Sequence, residues 1–259
     1  MSTDLTGKIG IINFNPDQNP DTIEYIDKIG ALIPQGIEYR GFHFTEQVDF
    51  SGCSALILSG SKLSATNYQK MVQKGAIEGA DYLSIDGIAK KLAAYQGSMF
   101  GICFGAQLVA HVMGGRLGKL VRVEPGYLQH ELTDAGKKDL IFGKLPERFY
   151  GAHLHQDYVD TLPNGELVKS ADVLAMRNGF IHAFKAVCAN GAVRYGVQPH
   201  PEMSTPENAV FLVRHTKSWL EGEIGREEYE NALIIPTDAG YELAETITQF
   251  AQSIKGFSG

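Results

Sequence analysis

The sequence is poor in cysteine, in tryptophan and in clustered positive charge. Among 259 residues there are three cysteines, which are widely spaced, and one tryptophan. An odd and scattered set of cysteines forms neither a disulfide framework nor a close-spaced zinc site, so at least one thiol is free for chemistry. The net charge is −7 and no basic cluster occurs, which argues against a nucleic-acid partner.

Long apolar runs and phosphate-binding loops are also absent from the sequence. Residues 1–8 lack the basic and apolar regions of a signal peptide, and no segment approaches the length of a membrane span. No Walker A pattern occurs, and no GxGxxG follows a strand, so the sequence predicts no nucleotide cofactor. The expectation is a cytoplasmic protein with no membrane partner and no cofactor.

The first half alternates strand and helix patterns, and 44% of residues are hydrophobic, which supplies a sizeable core. This alternation predicts the α/β class, as a three-layer α/β/α sandwich with a mostly parallel central sheet. A small antiparallel flap is expected between about residues 116 and 199, with C-terminal helices packed outside the sheet. Residues 1–220 are predicted to form the main domain, with 221–259 as a helical extension packed on it. Strands are expected at 8–14, 37–44, 55–58 and 98–102, helices at 21–32, 82–95, 105–113, 206–220 and 239–254, and a loop at 221–237.

The strongest local signal is the segment GICFGAQ, which runs from Gly101 to Gln107. It places Cys103 where a strand ends and a helix begins, with glycine two positions to either side. Such a sharp turn requires glycine at the flanks and exposes the nucleophile at the carboxyl edge of the sheet. The helix N-terminus favours the thiolate, and the backbone N–H of Phe104 is available to an oxyanion. A buried structural cysteine is the alternative interpretation.

A thiolate nucleophile needs a proton carrier, and the best candidate is His200 in the segment QPHPE. Residues two apart in an extended chain point the same way, so Glu202 is expected to reach the His200 ring and fix its tautomer. A cysteine, a histidine and a carboxylate together serve covalent acyl transfer. A solvated turn at the end of a strand is the alternative for this segment.

GICFGAQ, followed 97 positions after its cysteine by HPE, resembles the class I, triad-type glutamine amidotransferases. The resemblance extends over about residues 8–220 and implies a flavodoxin-like fold. It implies that Cys103 attacks the δ-carbonyl of a γ-glutamyl amide, that ammonia or an amine leaves, and that water hydrolyses the resulting γ-glutamyl thioester. It further implies that Gly60 and Ser61 join Phe104 in the oxyanion hole, and that Gln107 holds the glutamyl part of the substrate.

The sequence departs from the family where it has Gly60-Ser61-Lys62 in place of the Gly-Gly-Pro common in members that serve large synthetases, so that the loop has the form Ser59-Gly60-Ser61. This form is similar to free-standing members related to the amidotransferase domain of GMP synthase, including γ-glutamyl peptidases. Two hypotheses about the enzymatic function remain open. The chain is either a self-contained hydrolase of glutamine or another γ-glutamyl amide, or a glutaminase subunit that supplies ammonia to a separate ATP-dependent synthetase.

Two further alternatives belong to other classes. A non-catalytic regulatory relative is disfavoured by the intact triad. A thiol protease or chaperone could share only the sharp strand-to-helix turn at the cysteine, which is known as a nucleophile elbow. This alternative is disfavoured because that group places its histidine directly after the nucleophile, where this chain has Phe104.

No catalytic role is predicted for the remaining histidines and cysteines. His153 and His155 alternate as metal ligands on a strand would, but no third ligand is evident near them in sequence, so no metal is predicted. His155 and Asp157 are instead expected to line the pocket or brace its wall. Surface or strand positions are expected for His130 and His182, and burial as small hydrophobes is expected for Cys53 and Cys188.

Overall fold

The computed structural model of the chain describes residues 7–16, 20–203, 205–220, 222–237 and 239–255. The strands are β1 (Lys8–Asn13), β2 (Tyr39–His43), β3 (Cys53–Leu58), β4 (Ser98–Ile102), β5 (Arg116–Leu132), β6 (Arg148–Thr161), β7 (Val168–Arg177), β8 (Phe180–Cys188) and β9 (Val193–Val197). The α-helices are α1 (Pro20–Ala31), α2 (Ala65–Lys74), α3 (Ala80–Ala94), α4 (Phe104–Val112), α5 (Asp134–Lys138), α6 (Pro206–His215), α7 (Lys217–Leu220), α8 (Arg226–Ala232) and α9 (Glu245–Lys255). Short 3₁₀ turns lie at Phe142–Lys144, Pro201–Met203 and Glu242–Ala244.

Within the described ranges, nine strands form one sheet in the order β2-β1-β3-β4-β9-β8-β6-β5-β7. The five strands from β2 to β9 run parallel to their neighbours. The other four are antiparallel, and β7 pairs with both β5 and β8, so β5, β6, β8 and β7 close on themselves like a small barrel. The α/β class is therefore confirmed. The sheet is mixed rather than mostly parallel, because the antiparallel part, which was predicted as a small flap, contains four of the nine described strands.

Helices cover both faces of the parallel strands, since successive side chains of a strand point to opposite faces. Ile9 and Ile11 of β1 pack in one buried cluster with Phe250 of α9. Their neighbour Ile12 packs in a second cluster with Leu108 of α4. The hydrophobic run in β1 is explained by this double burial, which is typical of parallel strands.

The C-terminal part contains more helix than the sequence indicated. The predicted loop at 221–237 is wrong over Arg226–Ala232, which forms α8 with an ion pair of 2.8 Å between Arg226 and Glu230, one turn apart. The last helix begins only at Glu245, after a 3₁₀ turn. Glu221, where the extension was predicted to begin, lies outside the described residues.

Cys53 and Cys188 are buried, each with 5% of its surface exposed, as the sequence predicted. Of the helices in the described part of the chain, none is both long enough and apolar enough to cross a lipid bilayer.

Candidate active site

Cys103 lies in a sharp turn between the end of β4 and the start of α4. Its backbone has φ 50° and ψ −109°, a conformation that side-chain-bearing residues rarely adopt. The turn is held from both sides, because the Cys103 N–H donates to the Val197 carbonyl at 2.8 Å and the Gln107 N–H donates to the Cys103 carbonyl at 3.1 Å. This geometry is that of the nucleophile elbow that the sequence predicted.

The two flanking glycines are required by contacts in the turn itself. A Cβ on Gly101 would lie 2.5 Å from the carbonyl oxygen of Gly105. A Cβ on Gly105 would lie 2.4 Å from the carbonyl oxygen of Leu58 at the end of β3. Any larger residue at either position would force the turn open and displace Cys103.

His200 and Glu202 form a buried pair beside the elbow. His200 Nδ1 lies 2.6 Å from Glu202 Oε1, and the two residues are only 4% and 2% exposed. The pair forms through the 3₁₀ turn at Pro201–Met203, so the expected reach was right but the extended chain assumed for it was wrong. The His200 N–H also donates to the Ala152 carbonyl at 2.9 Å, which fixes the histidine to β6.

The electrostatics of this pair favour a charged imidazole. Burial alone lowers the pKa of His200, but Glu202 and Cys103 outweigh it and raise the pKa to about 10. Part of this rise comes from a hydrogen bond with the Cys103 side chain. At neutral pH His200 is therefore an imidazolium that lies beside the Cys103 sulfur.

The predicted oxyanion-hole residues surround the same point. A Cβ on Gly60 would lie 2.7 Å from His200 Cε1 and 3.6 Å from Cys103 Cβ, so the backbone at Gly60 lies against both residues. The Ser61 hydroxyl donates to the Phe14 carbonyl at 2.7 Å, which anchors the loop after β3. The Phe104 N–H belongs to the first turn of α4, where amides lack partners within the helix.

Cys103 opens into a cavity of about 400 Å³, a size typical of small-molecule sites. Its lining includes Ser61, Lys62, Phe104, Gln107, Lys119, His155 and Asp157. A second cavity, of about 670 Å³, lies between β5 and α8 and does not include Cys103. Of these two cavities, the first is therefore the one beside Cys103.

The predicted substrate-binding residues all reach this cavity, and their polar groups are already engaged. Gln107 Nε2 donates to the Asp157 carbonyl at 2.7 Å and to Gln198 Oε1 at 3.0 Å. The Asp157 carboxylate accepts hydrogen bonds of 2.7–2.9 Å from Ser64 and Thr66. Asp157 therefore anchors the start of α2, and with it the loop that carries Ser61.

His155 joins the cavity wall to a charged pair behind it. Its Nδ1 lies 3.0 Å from the Asp157 carbonyl oxygen, and its Nε2 lies 3.2 Å from Glu124 Oε2. Glu124 in turn forms an ion pair with Arg177. His155 is only 4% exposed, so it braces the wall more than it offers a polar group to a ligand.

Three residues at the site were missed by sequence reasoning. Gln198 Nε2 lies 3.5 Å from Cys103 Sγ, and its place two residues before His200 was a usable signal. Burial raises the pKa of Tyr25 well above its usual value, and Glu202 and Cys103 raise it further, so α1 presents a neutral hydroxyl to the triad. Lys119, from β5, lines the cavity. Tyr25 and Lys119 carry no sequence signal, because distant elements bring them to the site.

The structure also corrects the assignment of the histidines. His130 and His182 lie on strands, as expected, but they are buried rather than at the surface. They meet His153, and one ring nitrogen of each residue lies within 4.8 Å of the others. The expectation that His153 has no third potential ligand nearby is wrong, because the neighbouring strands β5 and β8 supply two more histidines.

Comparison with known proteins places these features in a wider group. The family model described as Glutamine amidotransferase class-I matches residues 83–216. The glutamine-hydrolyzing GMP synthase of Petrotoga mobilis is 24% identical over 194 residues, which are 75% of this chain and 36% of that protein. The gamma-glutamyl-L-1-hydroxyisopropylamide hydrolase of a Pseudomonas species is 29% identical over 174 residues, which are 65% of this chain and 52% of that protein. The chain thus spans about a third to a half of the length of these two relatives.

The fold has relatives among solved structures as well. The glutamine amidotransferase from Methylobacillus flagellatus superposes with a TM-score of 0.60 at 18% sequence identity. The match covers 96% of this chain and 95% of that one. At this level of identity the likeness concerns the fold alone.

Proposed function

The chain belongs to the class-I glutamine amidotransferase family, and from that premise we propose that it hydrolyses a γ-glutamyl amide bond through a covalent cysteine intermediate. The observation that carries the proposal is the buried pair of His200 and Glu202, joined at 2.6 Å, beside a cysteine held in a strained elbow. Each of the three side chains has one role in the proposed reaction. Cys103 is the nucleophile, His200 carries the proton, and Glu202 orients and charges His200.

In the first half-reaction, Cys103 Sγ attacks the δ-carbonyl carbon of the γ-glutamyl amide, and the carbonyl oxygen becomes an oxyanion. Backbone N–H groups at Gly60, Ser61 and Phe104 stabilise this charge. The C–N bond then breaks as His200 gives its proton to the leaving nitrogen. Ammonia or an amine departs, and a γ-glutamyl thioester remains on the sulfur.

In the second half-reaction, water attacks the thioester carbonyl and His200 accepts one of its protons. The C–S bond breaks, glutamate leaves, and the thiolate and imidazolium are restored. The positive charges of Lys62 and Lys119 on the cavity wall suit the carboxylate that every γ-glutamyl group carries. Substrates of the proposed class therefore share an anionic glutamyl end and differ in their amine.

A self-contained hydrolase is the form of this function that we favour. It is supported by the loop Ser59-Gly60-Ser61 and by the Pseudomonas relative, whose name gives a substituted γ-glutamyl amide as its substrate. A glutaminase subunit that delivers ammonia to a separate synthetase is the second candidate. It is supported by the Petrotoga relative, a GMP synthase of which this chain spans only 36%.

We also propose that residues 221–259 are an extension of the same domain, as the sequence suggested. The ring of Phe250 in α9 lies 5.4 Å from that of Phe100 in β4, centre to centre. Leu243 and Ile247 belong to the same buried cluster as Phe100. The cytoplasmic location stays a prediction from the sequence.

The deciding experiment measures glutamate release by the purified chain from glutamine and from a panel of γ-glutamyl amides and peptides. Cys103→Ala is the blank, with circular dichroism to show that it folds. Preference for a substituted γ-glutamyl amide over glutamine supports the self-contained hydrolase. Labelling of Cys103 by a glutamine-like electrophile, without turnover of any substrate, favours the subunit. Full activity of Cys103→Ala would refute the mechanism.

A further inference from the structure

We infer that His130, His153 and His182 form a binding site for one divalent transition-metal ion of the zinc type, inside the antiparallel part of the sheet. We call these three residues the histidine cluster. They come from β5, β6 and β8, and none is more than 3% exposed. One ring nitrogen of each lies within 4.8 Å of the others. Imidazole nitrogens are preferred ligands of zinc, copper and nickel.

The hydrogen bonds within the cluster indicate that the protein alone does not satisfy it. His130 Nε2 lies 2.8 Å from His153 Nε2, so one ring donates and the other accepts. Among the described residues, no hydrogen bond of normal geometry reaches the buried Nδ1 atoms of His130, His153 and His182. Buried polar groups are almost always paired, so a cluster with unpaired ring nitrogens is not fully satisfied by the protein.

The distance between His130 and His153 needs little change to accept an ion. Two nitrogens bound to a tetrahedral zinc ion at about 2.0–2.1 Å are roughly 3.3 Å apart. The Nε2 atoms of His130 and His153 would therefore separate by about half an ångström. His182 supplies the third ligand.

Nearby charges partly cancel and set the expected affinity. The guanidinium of Arg177 opposes a cation in the cluster. Burial raises the pKa of Glu124, but His155 and Arg177 outweigh it and lower the pKa, so the carboxylate is charged and pairs with Arg177. Removal of Arg177 leaves the negative charge of Glu124 next to the site. Metal affinity should therefore rise when Arg177 is neutralised and fall when a histidine of the cluster is replaced.

The position of the cluster suggests what an ion there would do. His153 follows Ala152, whose carbonyl accepts the His200 N–H at 2.9 Å. The His182 carbonyl accepts the Gln198 N–H at 2.8 Å. An ion bound between β6 and β8 would tie together the two strands that hold the segment carrying His200. The site is structural in this respect and supports the position of the catalytic histidine from behind.

The test uses the full chain without an affinity tag, in a Cys103→Ala background so that the active-site thiolate does not bind the ion. Titration with Co²⁺ should give one equivalent per chain, with visible d–d bands and no thiolate charge-transfer band, and Zn²⁺ should displace it. At a hundredfold excess over its Kd, Zn²⁺ should raise the thermal midpoint by about 5–10 °C.

Three variants in the same background make the assignment specific. His130→Asn should weaken binding at least tenfold, and Arg177→Met should strengthen it about tenfold. His43→Asn, on β2 at the opposite edge of the sheet, should leave binding unchanged. If His130→Asn does not fold, the spectrum and midpoint of the parent protein still decide. A folded parent with no bands and no shift, or equal binding by His130→Asn and the parent, overturns the proposal.

Discussion

The backbone of Gly60 lies so close to the ring of His200 that a methyl group at Gly60 would be 2.7 Å from His200 Cε1. Atoms at this distance overlap, so the ring can hold its place between Glu202 and Cys103 only while residue 60 has no side chain. The loop after β3, which carries Gly60, and the segment after β9, which carries His200, thus together control the geometry of the proposed catalytic site.

Gly60→Ala should displace the His200 ring and lower kcat/KM about 10²-fold, because a displacement of about 1 Å in a catalytic group costs this much. Steady-state kinetics with the preferred substrate measure the loss. Gly87→Ala is the matched control, since nothing lies within 4 Å of the added methyl group on α3. Activity of Gly60→Ala within twofold of the wild type would show that His200 is not held against residue 60.

The elbow conformation should be measurable as stored strain. With φ 50° and ψ −109°, Cys103 occupies a region that glycine adopts freely and other residues adopt at a cost of about 1–3 kcal/mol. We expect Cys103→Gly to be about 1 kcal/mol more stable than Cys103→Ala in urea unfolding. Neither variant has the thiol, so the comparison isolates the backbone.

Ala93→Gly, at an exposed position of α3, is the control and should lose about 1 kcal/mol. Glycine in place of alanine is thus expected to raise the free energy of unfolding at position 103 and to lower it at position 93. If both destabilise the protein equally, the elbow carries no strain.

The activity should persist to unusually high pH for an enzyme that uses histidine as its acid. Because Glu202 and Cys103 raise the pKa of His200 to about 10, the proton for the leaving amine is retained through pH 9 and lost near pH 10. The alkaline limb of kcat/KM should follow this pKa. Glu202→Gln removes the charge that raises the pKa, so its limb should move down toward the usual histidine range. A wild-type limb already present at pH 7, or one that Glu202→Gln leaves in place, would contradict this assignment.

Lys119 should contribute to binding of the anionic end of the substrate rather than to the chemical step. Lys119 lines the cavity that contains Cys103, and a charge-assisted hydrogen bond of about 1.5 kcal/mol corresponds to roughly tenfold in binding. Lys119→Ala should therefore raise KM about tenfold with kcat within twofold. Lys169→Ala, an exposed lysine of β7 outside the cavity lining, should change neither constant. An unchanged KM in Lys119→Ala would show that the carboxylate of the substrate binds elsewhere.

The elbow could be predicted from the sequence because its determinants are local. Gly101, Cys103 and Gly105 lie within one strand-turn-helix unit, and the contacts that exclude side chains at the glycines arise inside that unit and from β3. The pairing of His200 with Glu202 could also be predicted from local sequence, because the two residues are only two positions apart. A 3₁₀ turn forms the pair, rather than the extended chain that was expected. The link between Cys103 and His200, 97 residues apart, came from the need of a thiolate for a proton carrier and from the resemblance to a family, not from spacing.

The histidine cluster could not be predicted, because it depends on the register of antiparallel strands. His130 pairs with Phe149 across β5 and β6, and a register shift lies between Lys119 and Glu124. A slip of one residue would reverse the faces of the whole strand and separate the rings. The α8 helix was missed for a different reason, since its charged sequence resembles a loop until the Arg226–Glu230 pair is formed.

The junction between β9 and β8, where the parallel part of the sheet meets the antiparallel part, divides the residues around the cavity into two groups. Cys103 and His200, the proposed nucleophile and proton carrier, follow β4 and β9 of the parallel part, whereas Lys119, His155 and Asp157 on the cavity wall belong to β5 and β6. Evolution or a protein engineer can therefore change the part of the wall that β5 and β6 supply while the elbow is inherited unchanged. The constraint on such exchange is Asp157, because its carboxylate also holds the start of α2.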